Sequence, residues 1–173
     1  NTRSYLEIGP GHGLFSFYSI NKLKKLTHFT AVDISKTSLN LTINFIKSLI
    51  SKNKLIDYEF IEGDFLKIKQ NKKKYDLIVC GEVLEHVENP VKLLDNINVF
   101  LNKNGKVFIS TCINCPAIDH VNQFNKVEDI TKLFKKSKFK IISQKILPVE
   151  KVNYTNALKK KITINYSAIL KKN

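Results

Sequence analysis

Tyr5-Leu6-Glu7-Ile8-Gly9-Pro10-Gly11-His12-Gly13 is an apolar strand that runs directly into three alternating glycines and then into a helical pattern beginning near Leu14. Glycine at positions 9, 11 and 13 removes every Cβ that would hold the backbone away from a ligand, and it permits the positive φ angles of a tight strand-to-helix turn. The helix that follows presents its unpaired N–H groups to the same place, which suits a nucleotide-like ligand. A glycine-rich turn alone is a weak signal, because an ordinary strand-to-helix connection can carry one.

Later strands supply what the turn lacks. A second apolar strand over 29–32 ends in Asp33, about twenty residues past the glycines, where an α/β nucleotide site places the carboxylate that accepts from the ribose hydroxyls. A third, over 58–61, ends in Glu62-Gly63-Asp64-Phe65, and a fourth, over 75–79, ends in Cys80-Gly81-Glu82. A parallel sheet would collect these polar and glycine-bearing ends at one edge.

These residues resemble the class I S-adenosylmethionine-dependent methyltransferases. Glu7-Ile8-Gly9-Pro10-Gly11-His12-Gly13 is similar to their acidic-x-Gly-x-Gly-x-Gly motif, Asp33 to their ribose acid, and Glu62-Gly63-Asp64-Phe65 to their adenine-contacting motif. Leu101-Asn102-Lys103-Asn104-Gly105-Lys106-Val107 resembles the turn into their fifth strand. The resemblance covers about residues 4–145, and a dinucleotide oxidoreductase would instead show Gly-x-Gly-x-x-Gly. It implies an α/β, Rossmann-like fold with a mostly parallel seven-stranded sheet, helices on both faces and an antiparallel last strand. It also implies S-adenosyl-L-methionine as cofactor, with Gly9, Gly11 and Gly13 packed under it and Glu7 near its amino-acid end. Asp33 would bind the ribose, Ile34 cover the adenine, Asp64 accept from the adenine amino group, and Phe65 border the ring. Family members usually carry a helix before the first strand, so 1–173 reads as a single methyltransferase domain lacking an N-terminal segment.

Periodicity agrees with alternating strands and helices. Helices are expected over 14–24 and 35–51, the second capped by Ser35 with Leu39, Ile43, Ile46, Leu49 and Ile50 on one face. The helix over 90–101 starts on Pro90 and turns Val91, Leu94, Ile97 and Leu101 to the sheet. Asn125-Lys126-Val127-Glu128 has capping-box spacing ahead of a helix through Lys136. Strands five and six are expected over 105–111 and 139–144. The tail reads as a short helix over 154–161 and a strand over 162–170.

The formal net charge is +14, which raises a nucleic-acid partner. Arg3 is the only arginine, however, and arginine is the residue suited to bidentate phosphate contacts. The lysine runs at 22–25, 72–74, 135–140 and 159–161 read as solvated surface at helix ends and loops. No apolar run reaches the roughly 18 residues of a membrane span and nothing resembles a signal peptide, so a cytoplasmic chain with no membrane partner is expected. Cys112-Ile113-Asn114-Cys115 lacks the second pair of a zinc scaffold, and its cysteines read as small residues lining the end of strand five.

Two function classes compete. Gly81-Glu82-Val83-Leu84-Glu85-His86-Val87 resembles the ubiquinone-biosynthesis-type O-methyltransferases, which implies a small-molecule acceptor methylated at oxygen; this is preferred to RNA. The alternative is an RNA 2′-O-methyltransferase, supported by the basic balance and by a possible metal site. If a helical turn opens at the end of strand four, Glu82, Glu85 and His86 converge above the sheet edge, and His120 arrives from strand five. Two carboxylates and two imidazoles suit a divalent ion (Mg, Mn or Zn) held by Glu82, Glu85, His86 and His120. That set resembles the metal site of small-RNA 3′-terminal 2′-O-methyltransferases. Without a metal, His86 or His120 would act as general base with Glu85 beside them; in the blandest reading Glu85 and His86 only support the loop.

Overall fold

The apolar runs pair into one seven-stranded sheet of order β3-β2-β1-β4-β5-β7-β6 in the computed structural model, which describes residues 1–53, 55–69 and 73–173. The strands are β1 (Ser4–Ile8), β2 (His28–Asp33), β3 (Asp57–Glu62), β4 (Tyr75–Gly81), β5 (Leu101–Ile113), β6 (Phe139–Pro148) and β7 (Ile164–Lys172). The helices are α1 (Leu14–Lys22), α2 (Lys36–Lys52), α3 (Pro90–Phe100), α4 (Val127–Lys136) and α5 (Tyr154–Lys159). The pairs from β3 across to β5 are parallel, and β7 runs antiparallel to both β5 and β6. The expected Rossmann-like sheet with its antiparallel last strand is therefore present.

Alternation along each strand divides the core into two layers. Tyr5, Phe29, Ala31 and Val79 pack on one face under Ile20 of α1 and Leu39, Ile46 and Leu49 of α2. Leu6, Ile8, Ile78, Val107 and Ile109 pack on the other with Leu94 and Ile97 of α3 and Ile130 and Phe134 of α4. Each fully buried side chain of this size contributes roughly 1.5–3 kcal/mol. These two layers hold the strand ends rigid, and the ligand-facing turns are built on them.

Several local expectations shift. In α3 the buried face is Pro90, Leu93, Leu94, Ile97 and Phe100, while Val91 is only half-buried, so the stripe is rotated from the expected one. The cap of α4 sits one residue later: Lys126 is the N-cap, and Asp129 Oδ2, not Glu128, accepts from the backbone N–H groups of Asn125 (3.0 Å) and Lys126 (3.2 Å). Ser35 caps α2 as expected, with its Oγ accepting from Ser38 N at 3.2 Å. Strand five begins earlier than expected because Leu101 already pairs with Tyr75; the ladder then slips before resuming at Leu77 and Lys106. Lys72 lies outside the described residues. Lys73 is no freely solvated lysine, since its Nζ meets Glu59 Oε2 at 2.9 Å in a part-buried pair.

Gly13 carries the turn from β1 into α1. It is the N-cap of α1 at φ 82°, and a Cβ there would stand 3.0 Å from the Thr42 Cα of α2. Thr42 in turn donates from Oγ1 to the Gly11 carbonyl at 2.9 Å, which ties α2 to the turn. Gly13→Ala is expected to cost about 1–2 kcal/mol in left-handed strain alone, before any displacement of α2. Gly63→Ala, with no neighbour within 4 Å of its Cβ, should stay within about 0.5 kcal/mol of wild type. Urea unfolding of both variants checks the contrast, and equal losses would contradict it.

Candidate functional site

The parallel register brings the ends of β1, β2, β3 and β4 level: Ile8 pairs with Val32 and with Cys80, and Asp33 pairs with Glu62. The turns that follow surround a cleft of about 200 Å3 lined by Gly9, Asp33, Ile34, Asp64, Phe65, Val83 and His86, among others. Gly9 adopts φ 66°, its N–H donates to Val32 O at 2.8 Å, and a Cβ on it would stand 2.7 Å from Val83 Cγ2. The cleft wall at Gly9 is thus open only because the side chain is missing. Gly11 (φ 56°) has nothing within 4 Å of a Cβ, so its backbone faces open space.

The carboxylate of Asp33 is held from both sides. Its Oδ1 accepts from Ser35 N at 2.8 Å and its Oδ2 from Gly11 N at 3.4 Å, so the glycine turn and the ribose-type acid form one unit. Asp64 Oδ1 accepts from Leu66 N at 2.9 Å, and its ion pair with exposed Lys67 at 3.7 Å adds little. Phe65 is buried against Phe100 with ring centroids 5.1 Å apart, whereas Ile34 is 77% exposed at the rim. Of the cofactor residues expected from sequence, Gly9, Asp33, Ile34, Asp64 and Phe65 line this cleft.

Glu7 lies beneath the turn, 1% exposed. Its Oε2 accepts from Ser16 Oγ at 2.5 Å and Tyr5 OH at 2.7 Å, while its buried Oε1 has no partner among the described residues. Burial pushes the carboxyl up to about 7, and the two hydroxyl donors offset part of that rise. The open Gly11 backbone and the strand-end Asp33 carboxylate suit a ligand carrying a ribose, whereas Glu7 is sealed beneath the turn and does not line the cleft. The residues lining the cleft fit the nucleoside of S-adenosylmethionine.

The acceptor end differs from expectation. No α-helical turn follows β4. Glu82 takes a left-handed φ of 53°, and a short 3₁₀ turn spans Leu84–His86. The left-handed Glu82 turns its side chain away from the face that Glu85 and His86 share. Glu85 points inward, 1% exposed, accepting from Thr111 Oγ1 at 2.8 Å. Burial raises its carboxyl above the ordinary range, and the Glu82 carboxylate adds to the rise. His86 faces the cleft. The four-residue set Glu82, Glu85, His86 and His120 is not one cluster: ligand atoms of Glu85, His86 and His120 lie within 4.8 Å of one another, and Glu82 groups with Glu85 and Cys112 instead.

The sequence reading missed what assembles this end. Asn122 donates from Nδ2 to Leu84 O at 3.4 Å and, at short range, to Val87 O; its N–H donates to Glu85 O at 2.9 Å. These bonds clamp the loop after β5 onto the 3₁₀ turn and bring the His86 and His120 rings edge-to-face at 4.8 Å. Asp119, on the same loop, meets His86 Nδ1 through its carbonyl at 3.0 Å and its Oδ2 at 3.5 Å.

An open α/β sheet with a glycine cradle and a strand-end acid defines a Rossmann-like protein that binds a nucleoside-containing cofactor. More narrowly, the chain belongs to the methyltransferase-domain family, whose model matches residues 2–166. It is 30% identical over 110 residues to a ubiquinone biosynthesis O-methyltransferase of Paraburkholderia phytofirmans, covering 63% of this chain and 44% of that protein. It is 29% identical over 152 residues to a malonyl-[acyl-carrier protein] O-methyltransferase of Ilyobacter polytropus, covering 80% and 55%. The chain thus spans about half the length of these curated relatives. The O-methyltransferase of a trans-AT polyketide synthase multienzyme of Brevibacillus brevis, solved with S-adenosyl-L-homocysteine, shares the fold at a TM-score of 0.69 and 18% identity, covering 99% of this chain and 67% of that one. No helix among the described residues is long and apolar enough to cross a membrane.

The raised Glu7 carboxyl has a measurable consequence. Its folded value of about 7 exceeds the ordinary 4.5, so the stability it contributes is full below the ordinary value and is lost as pH rises through 7. Replacing it by glutamine removes that loss. Between pH 5 and pH 8 the ligand-free Glu7→Gln variant should gain on the order of 2 kcal/mol relative to wild type. Urea unfolding of both proteins at the two pH values measures this, and a pH-independent difference would contradict it.

Proposed function

We propose that this chain transfers a methyl group from S-adenosylmethionine to an oxygen atom of a small-molecule acceptor, with His86 as general base. The observation that carries this reading is that His86 lines the cofactor cleft with its Nδ1 committed to Asp119. A carbonyl and a carboxylate can only accept, so Nδ1 bears the proton and Nε2 keeps its lone pair. Two curated O-methyltransferase relatives support oxygen as the acceptor atom.

When bound, the cofactor supplies an electrophilic methyl group on a sulfonium. The chain's own part is to position and to move a proton. Asp33, held by the Ser35 and Gly11 N–H groups, fixes the sugar; Gly9 lets the backbone approach; Val83 and Val87 line the apolar wall and exclude water. As the acceptor oxygen attacks, its proton passes to His86 Nε2, and the imidazolium formed faces the Asp119 carboxylate. The His120 ring packs edge-on against His86. A second reading places a hard divalent ion (Mg or Mn) on Glu85, His86 and His120, and their proximity favours it; the ion would lower the acceptor hydroxyl's pKa.

The test is transfer of labelled methyl to a panel of phenols, carboxylic acids and an RNA oligonucleotide. We expect methyl ethers or esters of small acceptors. His86→Ala should lower kcat by about 10²–10⁴ while KM for the cofactor stays within about threefold. Label found in RNA alone, or an undiminished kcat, would overturn the reading. Activity in chelator supports the base, whereas activity restored only by magnesium or manganese selects the ion.

A further inference from the structure

Cys112 and Cys115 take no part in the proposed transfer, and the fold brings a third ligand to them. We propose that Cys112, Cys115 and His120 form a binding site for a thiophilic divalent cation, with zinc as the fitting ion, at the C-terminal end of β5. The cation site itself does not depend on the methyl-transfer reading; only its effect on His86 rests on that reading.

The two sulfurs and a ring nitrogen of His120 all lie within 4.8 Å of one another. In a tetrahedral zinc centre, with Zn–S about 2.3 Å and Zn–N about 2.0 Å, neighbouring ligand atoms stand roughly 3.5–4 Å apart. The three atoms are thus close to the spacing an ion requires. The backbone is already folded for it. Asn114 adopts a left-handed φ of 52°, which turns the chain between the two cysteines, and its N–H and carbonyl are pinned by Phe124 O (2.9 Å) and Thr163 Oγ1 (3.1 Å).

His120 is oriented as a ligand. Its Nδ1 lies 2.7 Å from the Cys115 carbonyl, which can only accept; Nδ1 therefore carries the proton and Nε2 keeps the lone pair. A backbone carbonyl on the other ring nitrogen is the usual support of a metal-bound imidazole. The Glu85 carboxylate approaches Cys112 and His120 but does not group with Cys115, so the fourth position of the ion is left to water. Two thiolates select zinc over the hard ions that carboxylates and water prefer. On binding, each thiol gives its proton to solvent, and the ion's two charges balance the two thiolates. An ion here would immobilise His120 and, through the 4.8 Å ring contact, the face of His86. His120 is then a positioning residue for His86.

The test uses cobalt(II) as a spectroscopic substitute, titrated into the reduced, metal-free chain. We expect one equivalent to bind, with tetrahedral visible bands and thiolate-to-cobalt charge transfer, and zinc to displace it. The double variant Cys112→Ser/Cys115→Ser should lose the charge-transfer band, and His120→Ala should bind at least about tenfold more weakly. Because Cys112 is buried, Cys115→Ser alone and zinc protection of both wild-type thiols from alkylation give a second readout that needs no core substitution. Cobalt bound without a thiolate band, binding unchanged in the cysteine variants, or thiols that alkylate equally fast with zinc present would overturn the site. None of these readouts uses methyl transfer, so failure here and failure of the proposed function remain separable.

Discussion

The in-register parallel ladder at the centre of the sheet is the constraint on which the site depends. Ile8 is level with Val32 on one side and Cys80 on the other, so the residues just beyond each strand meet at one edge. A slip of one residue would turn each side chain of a strand to the opposite face and separate the glycines from Asp33. Hydrogen bonds across the strand ends lock this edge: Gly9 N to Val32 O, Gly63 N to Asp33 O, and Glu82 N to Ser110 O. The two apolar layers of the sheet supply the rigidity that a preorganised cleft needs.

Electrostatics then differentiate the two ends of that edge. Near the glycine turn, Asp33 accepts from two backbone N–H groups at the cleft edge, and Glu7 is buried beneath the turn with one oxygen uncompensated. At the acceptor end, Glu85 and the two cysteines sit beneath two imidazoles, one facing the cleft and one facing the sulfurs. The loop carrying Asp119, His120 and Asn122 joins the ends, because Asn122 fastens it to the turn bearing His86.

The places of Gly9, Asp33, Asp64 and Phe65 at one edge of the sheet were legible in the sequence, because these residues sit at the ends of hydrophobic runs where strand period and glycine spacing fix them. The acceptor end was less so. Gly81 is small because Phe15 Cε2 would stand 2.6 Å from its Cβ. The left-handed residue is Glu82, which carries no such signature, so a helical turn was inferred where a 3₁₀ turn forms. Asn122 reads as an ordinary loop residue, and its partner Leu84 O lies 38 positions away. The cap of α4 was misplaced by one residue because Glu128 and Asp129 are both carboxylates, and only the backbone shows which reaches back. In α3 the buried face also takes in Leu93, which lines the cleft, and Phe100, which packs on Phe65; both contacts depend on loops distant in sequence.

The central claim is that the Gly9–Asp33 edge holds S-adenosylmethionine and its product. Isothermal calorimetry with S-adenosylhomocysteine addresses it directly, comparing wild type with Asp33→Ala while circular dichroism confirms that both are folded. The account predicts one site per chain in wild type and affinity weakened by roughly tenfold or more in the variant, as loss of hydrogen bonds to a charged group requires. Absence of binding to folded wild-type protein, or equal affinity in the two proteins, would contradict it.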